Sequence, residues 1–160
     1  MTTFTITVQD QAVMQALAKL SARVGNMAPY LQALGEDIVE RSKARFDSSS
    51  GPDGQAWKAY SPVTLGLMRT RRGGGSRKLL VDTGALQRQI VATVQGTNAL
   101  RVSAAQQYAA IHQFGGMAGR GRRVKIPARP FLPVRADGSL HPQEQALVLA
   151  TLQEFLLDGV

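Results

Sequence analysis

The chain has no cysteine and only two histidines, His112 and His141, among its 160 residues. Without thiols there is no disulfide framework, no thiolate zinc centre and no cysteine nucleophile, and two histidines leave little for an imidazole metal site. No metal or cofactor is expected. Aromatics make up 6% of the residues, and none falls inside the two arginine-rich clusters described below, which argues against a stacking platform for single-stranded nucleic acid. No apolar run approaches the roughly 20 residues that cross a bilayer as a helix, and the first residues lack a basic-then-apolar secretory pattern. The expectation is a soluble protein, made in a cytoplasm, with no membrane partner.

Acid is scarce in one region. Residues 54–136 carry fourteen bases against a single acid, Asp82, whereas residues 1–53 are near neutral and residues 137–160 hold four acids and no base. The net charge of +8 therefore hides a cationic middle and an anionic end. Two clusters dominate the middle: Arg69, Arg71, Arg72, Arg77 and Lys78 around a triple glycine, then Arg120, Arg122, Arg123 and Lys125 around Gly119 and Gly121. With no apolar period and many glycines they read as long basic surface loops, which face phosphate, face an acidic protein partner, or are simply solvated.

The length suits one domain over 1–160, with 1–28 as an opening strand and helix and 137–160 as a closing helix. Phe4, Ile6 and Val8 alternate with threonines, the period of a half-buried strand. Asp10 can cap a helix whose apolar positions run from Val13 to Val24 before Gly25. Pro29 opens a second helix with Leu31, Leu34, Ile38 and Phe46 on one face and a charged face that includes Glu36, Glu40, Arg41 and Arg45. A turn-rich stretch at 48–54 ends it, Trp57 and Tyr60 pin the following loop, and Ser61-Pro62 starts a short helix through Met68. Residues 89–95 and 99–103 read as a hairpin about Gly96-Thr97-Asn98, Tyr108 to His112 as a short helix, and 124–126 as an edge strand before prolines 127, 130 and 133. Pro142 begins the last helix, which is broadly apolar and carries Glu144 and Glu154. Helices segregated from hairpins make the fold class α+β: an antiparallel sheet with helices packed on one side.

Two stretches invite an enzymatic reading. Leu79-Leu80-Val81-Asp82-Thr83-Gly84-Ala85 resembles the active-site turn of retroviral-type aspartic proteases, where two chains each donate an aspartate. The following Leu86-Gln87-Arg88 reads as a helical turn instead of strand, so Asp82 is more simply a turn or cap former. His112 has neither a nucleophile nor an orienting acid nearby in sequence and reads as a hydrogen-bonded structural histidine close to Phe114. The glycine-rich stretches lack the Gly-Lys-Ser/Thr ending of a phosphate-binding loop. A basic DNA-binding module remains the main alternative to a structural protein.

Four stretches together, in order, resemble the phage virion morphogenesis family, the tail-completion proteins of Mu-like and other contractile-tailed phages: Gly54-Gln55-Ala56-Trp57; Leu79 through Leu86; Tyr108-Ala109-Ala110-Ile111-His112-Gln113-Phe114-Gly115-Gly116; and Ile126-Pro127-Ala128-Arg129-Pro130-Phe131-Leu132. Pro133-Val134 departs from the expected pattern. The resemblance implies a non-enzymatic virion protein of the head–tail neck, a tail terminator or completion protein assembled in the host cytoplasm as a hexameric ring. Its implied partners are its own copies, connector or neck proteins, the tail tube or sheath, and genomic DNA touched nonspecifically in the lumen. Trp57, Phe114 and Phe131 are the expected packing anchors and Arg129 a hydrogen-bond clamp. Glu144 and Glu154 are expected to dock on the basic, proline-rich segment of a neighbouring copy, since a ring needs two unlike patches.

Overall fold

The computed structural model describes residues 11–72 and 78–158. The opening strand at Phe4, Ile6 and Val8, the Asp10 cap and Arg77 lie outside these residues. Six α-helices and four short strands follow in the order α1 (Gln11–Gly25), α2 (Ala28–Ser48), α3 (Pro62–Arg72), α4 (Ala85–Arg88), β1 (Ile90–Gln95), β2 (Ala99–Ala104), α5 (Ala109–Phe114), β3 (Gly116–Ala118), β4 (Val124–Ile126) and α6 (Pro142–Leu157). The class is α+β, as the sequence implies. The strands form two separate antiparallel hairpins, β1–β2 and β3–β4. Pro127 follows β4 directly and ends its ladder.

α2 is the spine. Its buried stripe, Tyr30, Leu34, Ile38, Ser42, Arg45 and Phe46, recurs at three- and four-residue spacing. The N-terminal half packs Tyr30, Leu34 and Ile38 against Leu100 and against Val148, Leu152 and Phe155 of α6. Phe46, at the other end, joins Trp57, Leu86, Ile90, Ala109 and Phe131 in a second cluster. Gly35 lets α2 lie close on the β1–β2 hairpin: a Cβ there would stand 2.9 Å from Ala92 Cβ and from Leu100 Cδ1. The hairpin register pairs Gln95 with Ala99, so the predicted three-residue turn is the observed one.

Arg45 corrects the sequence reading of α2. It sits on the buried stripe, three residues after Ser42, and is only 7% exposed. The guanidinium is needed inside because the segment from Pro127 to Leu132 is irregular and prolines deprive it of ladder partners. Side chains take their place. Trp57 Nε1 donates to Pro130 O at 2.9 Å, and Arg45 Nη1 donates to Phe131 O at 2.7 Å. Gln113 uses its whole amide: Oε1 accepts from Phe131 N and Leu132 N at 2.9 Å each, while Nε2 donates to Leu132 O at 3.1 Å and Val134 O at 2.9 Å. Phe131 is thereby held fully buried against Phe46, with ring centroids 5.4 Å apart.

Gln113→Ala leaves these four buried or partly buried backbone groups without their side-chain partner and is expected to cost about 2–3 kcal/mol. Gln113→Glu keeps the two acceptors but faces two carbonyls with a group that cannot donate, so it is expected to lose at least as much. Denaturant unfolding of both variants measures this.

Candidate functional site

A cleft of about 1160 Å³ opens between α3, the turn over residues 79–84, the start of α5, and β4 with the segment after it. Leu67, Met68, Leu80, Leu86 and Ile126 give it apolar walls, and Lys58, Lys125 and Arg129 bring positive charge. Local chemistry builds each wall. Ser61 starts α3 with its hydroxyl accepting Thr64 N–H at 3.2 Å. Leu80 adopts a left-handed backbone, φ 61°, stabilised by donation of its N–H to Tyr60 Oη at 3.0 Å. Arg129, 3% exposed, donates from Nε to Lys58 O at 2.8 Å and from Nη2 to Ala59 O at 3.3 Å, with its guanidinium 5.0 Å from the Tyr60 ring centre. It ties the loop after Trp57 to the proline-rich segment. Burial lowers the Arg129 pKa, with Tyr60 acting in the opposite sense. The guanidinium stays charged.

His112 lines the same cleft, and its ring meets Tyr108 edge-on at 5.8 Å. The expectation of a hydrogen-bonded histidine fails: Nδ1 is buried without a partner. Burial, and secondarily the Arg129 charge, holds the imidazole below its ordinary value. Asp82 is exposed on the cleft rim, and the Thr83 hydroxyl accepts Ala85 N–H at 3.4 Å. The Asp-Thr-Gly turn leads into the helix α4, as Leu86-Gln87-Arg88 suggested, and not into the strand of a retroviral-type protease.

The first basic cluster is partly helical, whereas the second is a hairpin loop with positive φ at Gly121 and Arg122. Arg69, Arg71 and Arg72 belong to the last turns of α3, since arginine favours helix and no glycine lies between Arg69 and Arg72. Lys78 pairs with Asp47 at 2.8 Å on the surface. Arg120 to Arg122 form the turn at the tip of the β3–β4 hairpin, with Arg123 and Lys125 following, all exposed. Arg122 itself has a positive φ of 52°, a conformation that costs a non-glycine residue energy.

Two expected contact residues are placed differently. Phe114, expected as a packing anchor, is 47% exposed, because Ala109 and Gln113 take the inward positions of α5 and leave it turned aside. Glu144, expected to face a neighbouring copy, is 4% exposed and forms ion pairs with Arg45 and with Arg41, the latter at 3.1 Å. Its charge is consumed inside the chain, clamping α6 to α2. Burial lowers the Arg45 pKa and Glu144 opposes that shift. Glu154 is exposed on α6. Trp57 and Phe131 are buried at 6% and 0% exposure. Tyr60 was expected to pin its loop and does so through Leu80 and Arg129, whereas the inward roles of Gln113 and Arg45 were not singled out from sequence. The inward spacing of Ala109 to Gln113 and of Ile38, Ser42 and Arg45 was the available signal.

The chain thus carries an apolar cleft with cationic walls, a cationic hairpin tip and helices with exposed apolar positions. The sequence profile of the phage virion morphogenesis family matches residues 8–152. The Mu-like prophage FluMu G protein 2 of Haemophilus influenzae is 34% identical over 145 residues, which cover 91% of this chain and 89% of that protein. The putative capsid assembly protein G of Escherichia phage Mu is 30% identical over 103 residues, 63% of this chain and 65% of its own. No solved structure matches. The chain belongs to the phage virion morphogenesis family, and its role is a structural one in phage assembly.

Glu144→Ala leaves Arg45 buried without its carboxylate and is expected to destabilise by about 3–5 kcal/mol, whereas Glu154→Ala should stay within about 0.5 kcal/mol of the parent. Denaturant midpoints compare the two directly. For His112, the folded pKa lies below the ordinary 6.5, so the unfolded chain binds the extra proton first. Stability is then fully present above about pH 6.5 and falls as pH drops toward the folded value, below which the loss levels off. His112→Phe should reduce the stability lost between about pH 7.5 and about pH 5.5.

Proposed function

We propose that the protein is a tail-completion protein, a tail terminator or neck component, that closes into a ring at the head–tail junction of a tailed phage. Six copies would match the sixfold symmetry of a contractile tail. It acts by contact, without catalysis or a cofactor, and resides in the virion neck. The proposed partners are other copies of itself, connector or neck proteins on one side and tail tube or sheath on the other.

The observation that carries this reading is the apolar helical surface left uncovered in a single copy. None of the residues of α1 is buried, and Met14, Leu17 and Val24 are 56–63% exposed. On α6, Leu147, Leu149 and Leu157 are 44–64% exposed. Such a surface on one chain favours association. Family membership, and the printed name of the phage Mu relative as a putative capsid assembly protein, support virion assembly as the setting.

A second reading, a basic DNA-binding module, is favoured by the exposed Arg120, Arg122 and Arg123. Within a ring these arginines would touch genomic DNA nonspecifically in the lumen.

Native mass measurement of the purified protein, alone and with tail-tube or connector protein, is expected to give a closed oligomer with a mass near a multiple of 17.2 kDa. A monomer at every concentration that binds neither tails nor connectors overturns the ring. Sequence-selective DNA binding with a steep salt dependence supports the second reading in its place.

A further inference from the structure

We infer that the cleft between α3 and the β3–β4 hairpin is the docking groove for the outer face of α6 from a second copy of this chain, which rests on the ring reading above. Helix-in-groove contacts are read from residues at i, i+3, i+7 spacing. On α6, Leu147, Ala150, Glu154 and Leu157 follow that spacing, and all four are exposed. The opposite side of α6, with Val148, Leu152 and Phe155, packs on its own chain.

Charge selects the occupant. α6 contains no base; with Glu144 consumed by Arg41 and Arg45, Glu154 is the acid left on its outer face. The cleft offers Lys58, Lys125 and Arg129 around apolar walls, which suits an apolar helix carrying an acid. A phosphate backbone would leave Leu67, Met68 and Ile126 unmatched, and the arginines of the hairpin tip, suited to phosphate, are not among the cleft's lining residues.

The inner side of α6 is fixed to α1 and α2, so its outer face points away from its own chain and meets the groove of the next copy. A contact between two different patches repeats head to tail, the type of interface that a ring requires.

The absence of cysteine makes the test direct. Val124, 55% exposed in the cleft, and Leu157, 64% exposed on α6, are replaced in separate pools as Val124→Cys and Leu157→Cys. After mixing and mild oxidation, the cross-link joining the two different variants should exceed either self-link, and Glu154→Lys introduced into the Leu157→Cys pool should reduce it at least tenfold at low salt. Lys125→Glu in the Val124→Cys pool should partly restore it. Rings that form without the mixed cross-link overturn this groove and leave the ring intact. A chain that never oligomerises overturns both. Shielding of the Val124→Cys thiol by duplex DNA, and not by a second copy, also overturns the groove.

Discussion

A stretch of backbone that cannot pair with another strand organises this protein. Between Ile126 and Val134 three prolines remove N–H donors and prevent a ladder, yet Phe131 in the middle is fully buried. Burying such a segment requires partners for its remaining polar groups. Arg45 from α2, Trp57 from the loop before α3 and Gln113 from α5 supply them. Arg129, within the segment, clamps outward to the carbonyls of residues 58 and 59. Elements distant in sequence are thereby held at one place, and the cleft is bounded by the same parts.

The demand for a buried guanidinium has an electrostatic consequence. Arg45 is desolvated and needs an anion, and α6 delivers Glu144 beside Arg41. The acidic end of the chain is therefore partly neutralised from within, and α6 is fixed with its inner side on Tyr30, Leu34 and Ile38. Arg23 of α1 reaches the carbonyls of Phe155 and Leu156 at 2.9 and 3.1 Å. The outer face of α6 and much of α1 remain available for contact.

Local signals made much of the fold legible. Pro29 and Pro142 mark helix starts, the alternation around Gly96-Thr97-Asn98 marks the β1–β2 hairpin, and the order of elements gives the α+β class. The site was less legible. β3 spans three residues of low strand propensity, Gly116 to Ala118, and exists because Val124 to Ile126 folds back to pair with it. Phe114 was expected inside on hydrophobicity, but on a six-residue helix the direction of Ala109 and Gln113 decides which side is buried. Glu144 and Glu154 are indistinguishable by composition, and only their angular positions on α6 separate a buried clamp from a surface charge.

The sequence by itself determined the cationic middle and anionic end, the positions of most helices and turns, and a family pattern concentrated around Trp57, the Asp82 turn, Gln113 and the proline-rich segment. These follow from residue type and short-range spacing. Tertiary structure alone decided which charges were spent internally, which histidine nitrogen was left without a partner, and where a cleft opened. Those outcomes depend on which side chains meet across more than sixty residues of chain, as Arg45 meets Phe131 and Glu144, and a pairing of that range leaves no periodic trace in the sequence.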